Sequence, residues 1–487
     1  MSLETSAIDG QIRYNPLFID GSVRSRSDAE PITIRSASTA EIIGSVAAAT
    51  RSDADAAVAA ARCAFRAASG WATWQPQERA AALRRLADQL TARSSETACL
   101  VSAQNGMPYS TAVAFEGNVP AGILQYYAAL IEAVSLEETR AGVTGRSTLV
   151  HRRPLGVVAL ILPWNFPQTL TFFKLAPALA AGNTVVIKPS RETLLDAGLL
   201  AEAVIAAGIP SGVINILPGG DDIGSYLVTH PGVDKISFTG STAVGKEVAS
   251  RAGSLLRPVT LELGGKSAAI ILDDADLEAH AEAMFTASLL NNGQTCFAST
   301  RILAPRQRYD EVVEFYEQLA AKAVVGDALD PATQVGPMVS EAHRRNVESH
   351  IARGLTENAR LVTGGGRPDV GPGWFVEPTV FADVDNSAAI AREEIFGPVL
   401  VVIPYADEAE AVRLANDSRY GLGGTVWSSD QEHALRIARQ IQTGTIGINH
   451  YLPAPDAPYG GVKNSGMGRE LGPEGLAQYQ ELHSIYL

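Results

Sequence analysis

The chain has 487 residues, a formal net charge of −14, and 46% apolar against 19% charged residues. That length exceeds one ordinary core and predicts two or three domains, and the composition excludes a disordered or fibrous protein. The negative balance argues against a nucleic-acid binder and against an anionic membrane surface.

Met1 to Tyr14 is polar and shows no basic stretch followed by an apolar one, so no secretory leader is expected. Asn15 to Ser45 reads as short strands and turns forming an edge ribbon. A helix is predicted from Ser52 as cap, with Asp53 and Asp55 in its first turn and Arg62 and Arg66 late, an order that suits the helix dipole. Val58, Ala61 and Phe65 give it an apolar stripe, and Cys63 beside them reads as a small packing residue. A second helical pattern runs from Gln77 to about Ser102 and carries Cys99, read as structural in the same way. Cys63, Cys99 and Cys296 are odd in number and far apart, so no disulfide framework is legible, and a reducing cytoplasm is expected.

From Leu155 the texture changes. Leu155 to Leu162 is a continuous apolar run of strand length, far short of the ~20 residues of a membrane span. Similar runs recur at Thr184 to Ile187, Val213 to Leu217 and Lys235 to Phe238, with helical segments such as Thr193 to Ala207 between them. Strand, helix, strand at this spacing predicts a doubly wound α/β sheet, with ligands at the carboxyl ends of its strands. A second α/β set follows Gly264, with strands at Ala268 to Leu272, Arg301 to Ala304, Val399 to Tyr405 and Thr445 to Asn449. Its helices include Tyr309 to Ala323 and Glu408 to Asn416. Ser147 to Arg153 and Gln478 to Leu487 belong to neither core and read as strands available to another subunit.

Five motifs carry chemistry, each with a plain structural alternative. Phe238-Thr239-Gly240-Ser241 turns from a strand into a helix, whose free amides suit a pyrophosphate, or is only a cap. Lys188 ends a buried strand, where its ammonium suits ribose or phosphate, or is a surface lysine. Asn165, between aromatics and prolines, offers an oxyanion donor or is a turn asparagine. Glu262 sits in an apolar strand end where burial would make it a base, or it pairs with Lys266. Cys296 follows an alanine-rich helical run (Asp276 to Leu290) on Asn291-Asn292-Gly293-Gln294-Thr295, where converging amides would lower its pKa, or it is an inert buried thiol. Eight histidines show no ligand spacing, and no metal site is expected.

In order, the segments WNFP, KPS, FTGSTAVG, LELGGKS, NGQTC, EEIFGPV and GGVKNSGMGRE closely resemble the NAD(P)-dependent aldehyde dehydrogenase superfamily of the non-acylating, hydrolytic type, from about Leu17 to the end. The resemblance implies Cys296 as nucleophile, Asn165 as oxyanion donor and Glu262 as base for water. It implies Trp164, Lys188, Ser190, Gly240, Ser241, Gly245, Glu394 and Phe396 as cofactor contacts. Phe166, Leu170, Phe173, Phe297, Tyr451 and Leu452 match substrate-tunnel positions, and their apolar character points to an apolar or aromatic aldehyde. The implied fold is α/β: a Rossmann-like NAD(P)-binding domain (1–130 and 154–261), an α/β catalytic domain (262–463) and a small β oligomerisation arm (131–153 and 464–487). A homodimer or homotetramer follows, with a small-molecule aldehyde as partner and neither nucleic acid nor membrane. Arg191 departs from the pattern, because NAD-preferring members often carry a ribose-chelating glutamate there. The departure opens NADP use, with NAD still favoured. A CoA-acylating dehydrogenase and a non-catalytic dinucleotide-binding protein are the alternatives; Glu262 speaks against the first, and intact Cys296, Asn165, Glu262 and Glu394 against the second.

Overall fold

Uninterrupted apolar strands are stable only where both faces are covered, and the runs after Leu155 meet that condition. In the computed structural model, which describes residues 12–14, 16–24, 30–143, 145–357 and 359–487, they form the parallel centre of an eight-stranded sheet. The order across that centre is Ile214–Ile216, Thr184–Lys188, Val157–Ile161, Lys235–Thr239, Val259–Glu262. Every residue of the first four strands is buried. The chain reverses its direction of travel across the sheet between Val157–Ile161 and Lys235–Thr239. A crevice opens there at the strands' carboxyl ends, where α/β sheets hold ligands. Phe18–Ile19 and Ser22–Val23 close one edge antiparallel, and Gly466–Met467 closes the other.

The second sheet has seven strands, in the order Arg360–Thr363, Thr379–Ala382, Val399–Tyr405, Arg301–Pro305, Ala268–Ile271, Gly424–Trp427, Gly447–Ile448. Only the first pair is antiparallel. Val399–Tyr405 and Glu408–Asn416 match expectation residue for residue. Outside both sheets, Glu137–Ala141, Ser147–Pro154 and Gln480–Tyr486 pair into a three-stranded antiparallel arm. The last arm strand starts at Gln480, close to the expected Gln478; ahead of it Gly466–Met467 pairs with Val259–Glu262 and Gly472–Ala477 is helical.

Several local expectations are corrected. The first helix is Arg51–Arg66, capped by Thr50 and not Ser52, since Thr50 and Asp53 form a reciprocal capping box. Its buried stripe is Ala54, Ala57, Val58 and Ala61, so Cys63 turns outward and is exposed. Cys99 is exposed for the same reason, opposite Ala98 and Val101. The pattern from Gln77 to Ser102 is two helices, Pro76–Thr91 and Ser94–Asn105, and the helix before the cysteine turn is Ala281–Leu289. Ile42–Ala47 pairs with Ile12–Tyr14 on one side and Pro31–Arg35 on the other in a small separate sheet. Apart from Ile12–Tyr14, the polar N-terminus lies outside the described residues, as do Asn15 and residues 25–29 of the edge ribbon. Among the described residues no helix is long and apolar enough to cross a membrane.

Candidate active site

Cys296 is set by three consecutive left-handed residues, Asn291 (φ 51°), Asn292 (φ 62°) and Gly293 (φ 72°). Asparagine and glycine are the residues that tolerate this region. Each asparagine is then buried and used. Asn291 Nδ2 donates to the Asn165 carbonyl at 2.9 Å, and Asn292 Nδ2 donates to the Gly106 and Pro337 carbonyls at 2.8 and 2.9 Å. Thr295 Oγ1 donates back to Leu290 at 2.8 Å. Gly265 packs so closely beneath the turn that a Cβ would stand 2.3 Å from the Cys296 carbonyl oxygen. Those contacts leave Cys296 on a rigid support.

The thiol is not acidified as its turn suggested. Burial pushes it up to about 12; the Tyr459 hydroxyl pulls it down, while the charges of Glu394 and Glu262 push it further up. The sulfur sits in an apolar pocket with carboxylates in range, and that outweighs the backbone amide.

Glu262 ends its strand 3% exposed, and neither carboxylate oxygen has a hydrogen-bond partner among the described side chains. Burial holds its carboxyl well above the usual range, the Glu470 charge adds to this, and Lys174 and Arg469 pull against it. Lys174 is itself buried and donates to Glu470 Oε1 and Thr239 Oγ1, both at 2.6 Å. The alternative pairing of Glu262 with Lys266 is absent: Lys266 Nζ is buried without a partner. Asn165 is 3% exposed, and its Nδ2 donates one hydrogen bond to the Gln294 carbonyl at 3.0 Å. A side-chain amide carries two N–H donors, so one remains.

Cys296, Phe166, Leu170, Phe173 and Phe297 line one cavity of about 260 Å³, completed by Phe115, Val119, Tyr459 and Pro455, with no charged residue in its wall. Tyr451 stands behind this wall, its ring 4.8 Å from Phe297 and its hydroxyl turned to Thr445. Leu452 is 47% exposed and is not among the residues that line the cavity.

A second cleft, of about 430 Å³, follows the switch point and is lined by Trp164, Lys188, Ser190, Gly240, Val248 and Arg251, among others. Ser241 caps the helix Thr242–Gly253 through Val244 N. Gly245 is turned away from the cleft, and a Cβ there would stand 2.4 Å from Leu263, so it permits helix-on-strand packing. Arg191 is exposed and outside the cleft lining. Glu394 accepts from Gly265 N at 3.0 Å and is pushed up to about 7 by burial. Phe396 packs its ring edge-on to the cleft residue Trp164, centroids 5.3 Å apart. The crevice, the capped helix terminus and a buried lysine fit a dinucleotide.

Sequence reasoning missed Tyr459, Lys174, Glu470 and Phe115. Tyr459, Lys174 and Phe115 lie in no quoted motif; Glu470 ends the segment GGVKNSGMGRE, but its role comes from Lys174, 296 residues away in the chain.

The sequence matches a family model described as the aldehyde dehydrogenase family over residues 23–485. It is 58% identical over 435 residues to geranial dehydrogenase of Castellaniella defragrans, with 89% of this chain and 91% of that protein covered. It is 41% identical over 434 residues to betaine aldehyde dehydrogenase of Sinorhizobium fredii, with 88% of each covered. A Mycobacterium tuberculosis aldehyde dehydrogenase complexed with NAD+ superposes with a TM-score of 0.95 at 46% identity, covering 98% of this chain and 99% of that one. A mutant aldehyde dehydrogenase C of Pseudomonas syringae, complexed with NAD+ and octanal, superposes at 0.92 with 40% identity, covering 96% of each.

Proposed function

The chain belongs to the aldehyde dehydrogenase family, and on that premise we propose that it oxidises an apolar aldehyde to its carboxylic acid with NAD as hydride acceptor. Cys296 is the nucleophile in this reading. Its sulfur adds to the aldehyde carbon, and the resulting oxyanion is held by the free N–H of Asn165 and the Cys296 amide. A donor of this kind contributes about 10²–10³ in rate. A dinucleotide held in the cleft would supply the acceptor for the hydride on that carbon, and Cys296 would then carry the acyl group as a thioester. Glu262, kept basic by burial, removes a proton from the attacking water, the C–S bond breaks, and the carboxylate leaves. Lys188, Ser190 and Gly240 hold the dinucleotide along the cleft, and Glu394 the ribose nearer the chemistry.

The observation that carries the substrate class is the uncharged cavity wall around Cys296. A carboxylate on the aldehyde would enter it unpaired, at a large desolvation cost. The relative named for geranial and the neighbour bound to octanal support a chain-like apolar substrate. The test is kcat/KM for a panel of aldehydes, with NAD and with NADP and without CoA. Octanal and geranial are expected to exceed a charged semialdehyde by about tenfold or more. Betaine aldehyde belongs in the panel because aromatic rings also accept a quaternary ammonium. Its preference over octanal, or parity of the semialdehyde, would overturn the apolar reading. The arm, with Leu482 and Tyr486 61% and 84% exposed, supports a homodimer or homotetramer, for which we propose a cytoplasmic location.

A further inference from the structure

We propose that Tyr459 is a catalytic residue, whose phenol donates a hydrogen bond to Cys296 Sγ and holds the sulfur in its reactive thiolate form. The inference rests on Cys296 being the nucleophile. The hydroxyl oxygen and the sulfur are 3.4 Å apart, within range for a bond to sulfur, and no other side chain among the described residues hydrogen-bonds to Sγ. Tyr459 is 3% exposed in a mainly apolar wall whose two other hydroxyls, of Thr169 and Thr295, are spent on the Phe115 and Leu290 carbonyls. A phenylalanine would fill that wall equally well, and a hydroxyl buried there is costly unless it is bonded.

The phenol is also fixed in place. Tyr459 N donates to the Glu470 carbonyl and Glu470 N to the Tyr459 carbonyl, both at 2.7 Å. Glu470 in turn is anchored by its buried ion pair with Lys174. The ring rests edge-on against Phe173, centroids 5.9 Å apart. Burial and the neighbouring Cys296, Tyr451 and Glu262 hold the phenol far above its usual range, so it stays protonated and is the donor. Around the sulfur, burial, Glu394 and Glu262 all disfavour the thiolate, and the Tyr459 hydroxyl is the one side chain that favours it. When the thiol ionises, its proton leaves for Glu262 or water and Tyr459 keeps its own.

Tyr459→Phe removes this one oxygen. The test is the rate at which iodoacetamide alkylates Cys296 across the neutral-to-alkaline range, read by peptide mass; the thiolate displaces iodide and forms the S–C bond. Loss of a charge-assisted hydrogen bond shifts the thiol up by about one unit. About tenfold less thiolate, offset by about threefold greater nucleophilicity, leaves the variant about threefold slower along the rising limb. kcat/KM for aldehyde falls by a similar factor, while KM for NAD and the thermal midpoint stay unchanged. Alkylation curves that superimpose would overturn the proposal. The nucleophile reading has its own test in Cys296→Ala: retained turnover there ends that reading whatever Tyr459→Phe does. An inactive Cys296→Ala together with superimposed curves ends only the role of Tyr459.

Discussion

Lys174 Nζ stands 2.6 Å from Glu470 Oε1 with both side chains shut off from solvent, and after burial these two charges act most strongly on Glu262. Glu470 raises the Glu262 carboxyl and Lys174 lowers it. In Glu470→Gln the raising charge is gone and the lysine is left unneutralised, so both changes push Glu262 down. The rise of thioester hydrolysis with pH is expected to move to lower pH, read in single turnovers. Breaking a buried pair by removing one partner also costs about 3–5 kcal/mol of stability, read in the thermal midpoint. A pH profile that stays in place would separate Glu470 from the base.

Glu262→Gln keeps the side chain's shape and removes its basicity. Hydride transfer precedes hydrolysis, so rapid mixing with NAD and aldehyde should give a burst of NADH followed by turnover slowed about 10²–10⁴-fold. A first turnover that is itself slow would assign Glu262 to activating Cys296 instead.

The strands of the first sheet were legible because fully buried parallel strands are written as unbroken apolar runs, and the cysteine turn because Asn-Asn-Gly suits a left-handed backbone. Gly424–Trp427 escaped notice: a four-residue strand beginning with glycine carries too little pattern. Tyr459 and Glu470 lie 163 and 296 residues from the partners Cys296 and Lys174 that give them meaning, so no local signal tells their roles, even though Glu470 closes the segment GGVKNSGMGRE. The thiol's pKa was misjudged for the same reason, since the turn is local and the burying walls are not. Cys63 and Cys99 show the opposite failure. Helical backbone was expected at both, but the pattern from Gln77 to Ser102 breaks into two helices, and one-residue precision about the buried face depends on where each helix begins.

Glu116 tests the scaffold under the aldehyde pocket. It lies in a π-helical turn, Val113–Asn118, beside the pocket residue Phe115. Its Oε2 accepts from Gln168 N at 2.7 Å, and its Oε1 has no partner. Burial pushes its carboxyl from 4.5 up to about 8. The folded state then holds the proton more tightly than the unfolded chain between those values. Stability from this group is complete at about pH 4.5 and is lost as pH rises through about 8, by up to about 5 kcal/mol. Burial also raises Asp196, to about 6, in the same sense. Thermal midpoints measured from pH 5 to pH 9 should fall in the wild type and fall less in Glu116→Gln. An equal decline in the variant would mean that the carboxyl is charged throughout.

Cofactor choice turns on two adjacent residues. Arg191 stands where the family often has a ribose-binding carboxylate, which opened the prospect of a 2′-phosphate contact, yet its side chain is exposed and outside the cleft. The carboxylate one residue later is held against the cleft residue Ser190, whose Oγ donates to Glu192 Oε2 at 2.5 Å. Lys188, at the same end of the cleft, is lowered chiefly by burial and supported by the charges of Asp221, Glu192 and Asp222, with Arg191 opposing. Besides the cations Lys188 and Arg251 of the cleft wall, a 2′-phosphate near Lys188 would meet the charges of Asp221, Glu192 and Asp222, and each of those carboxylates disfavours NADP. Arg191→Glu should leave the NADP-to-NAD ratio of kcat/KM within about twofold, since a solvated side chain is strongly screened. Glu192→Gln should raise that ratio by about fivefold to tenfold, or about 1 kcal/mol of relieved repulsion. If Arg191→Glu instead lowers the ratio tenfold, the guanidinium reaches the phosphate when the cofactor binds, and the discrimination belongs to Arg191 and not to Glu192.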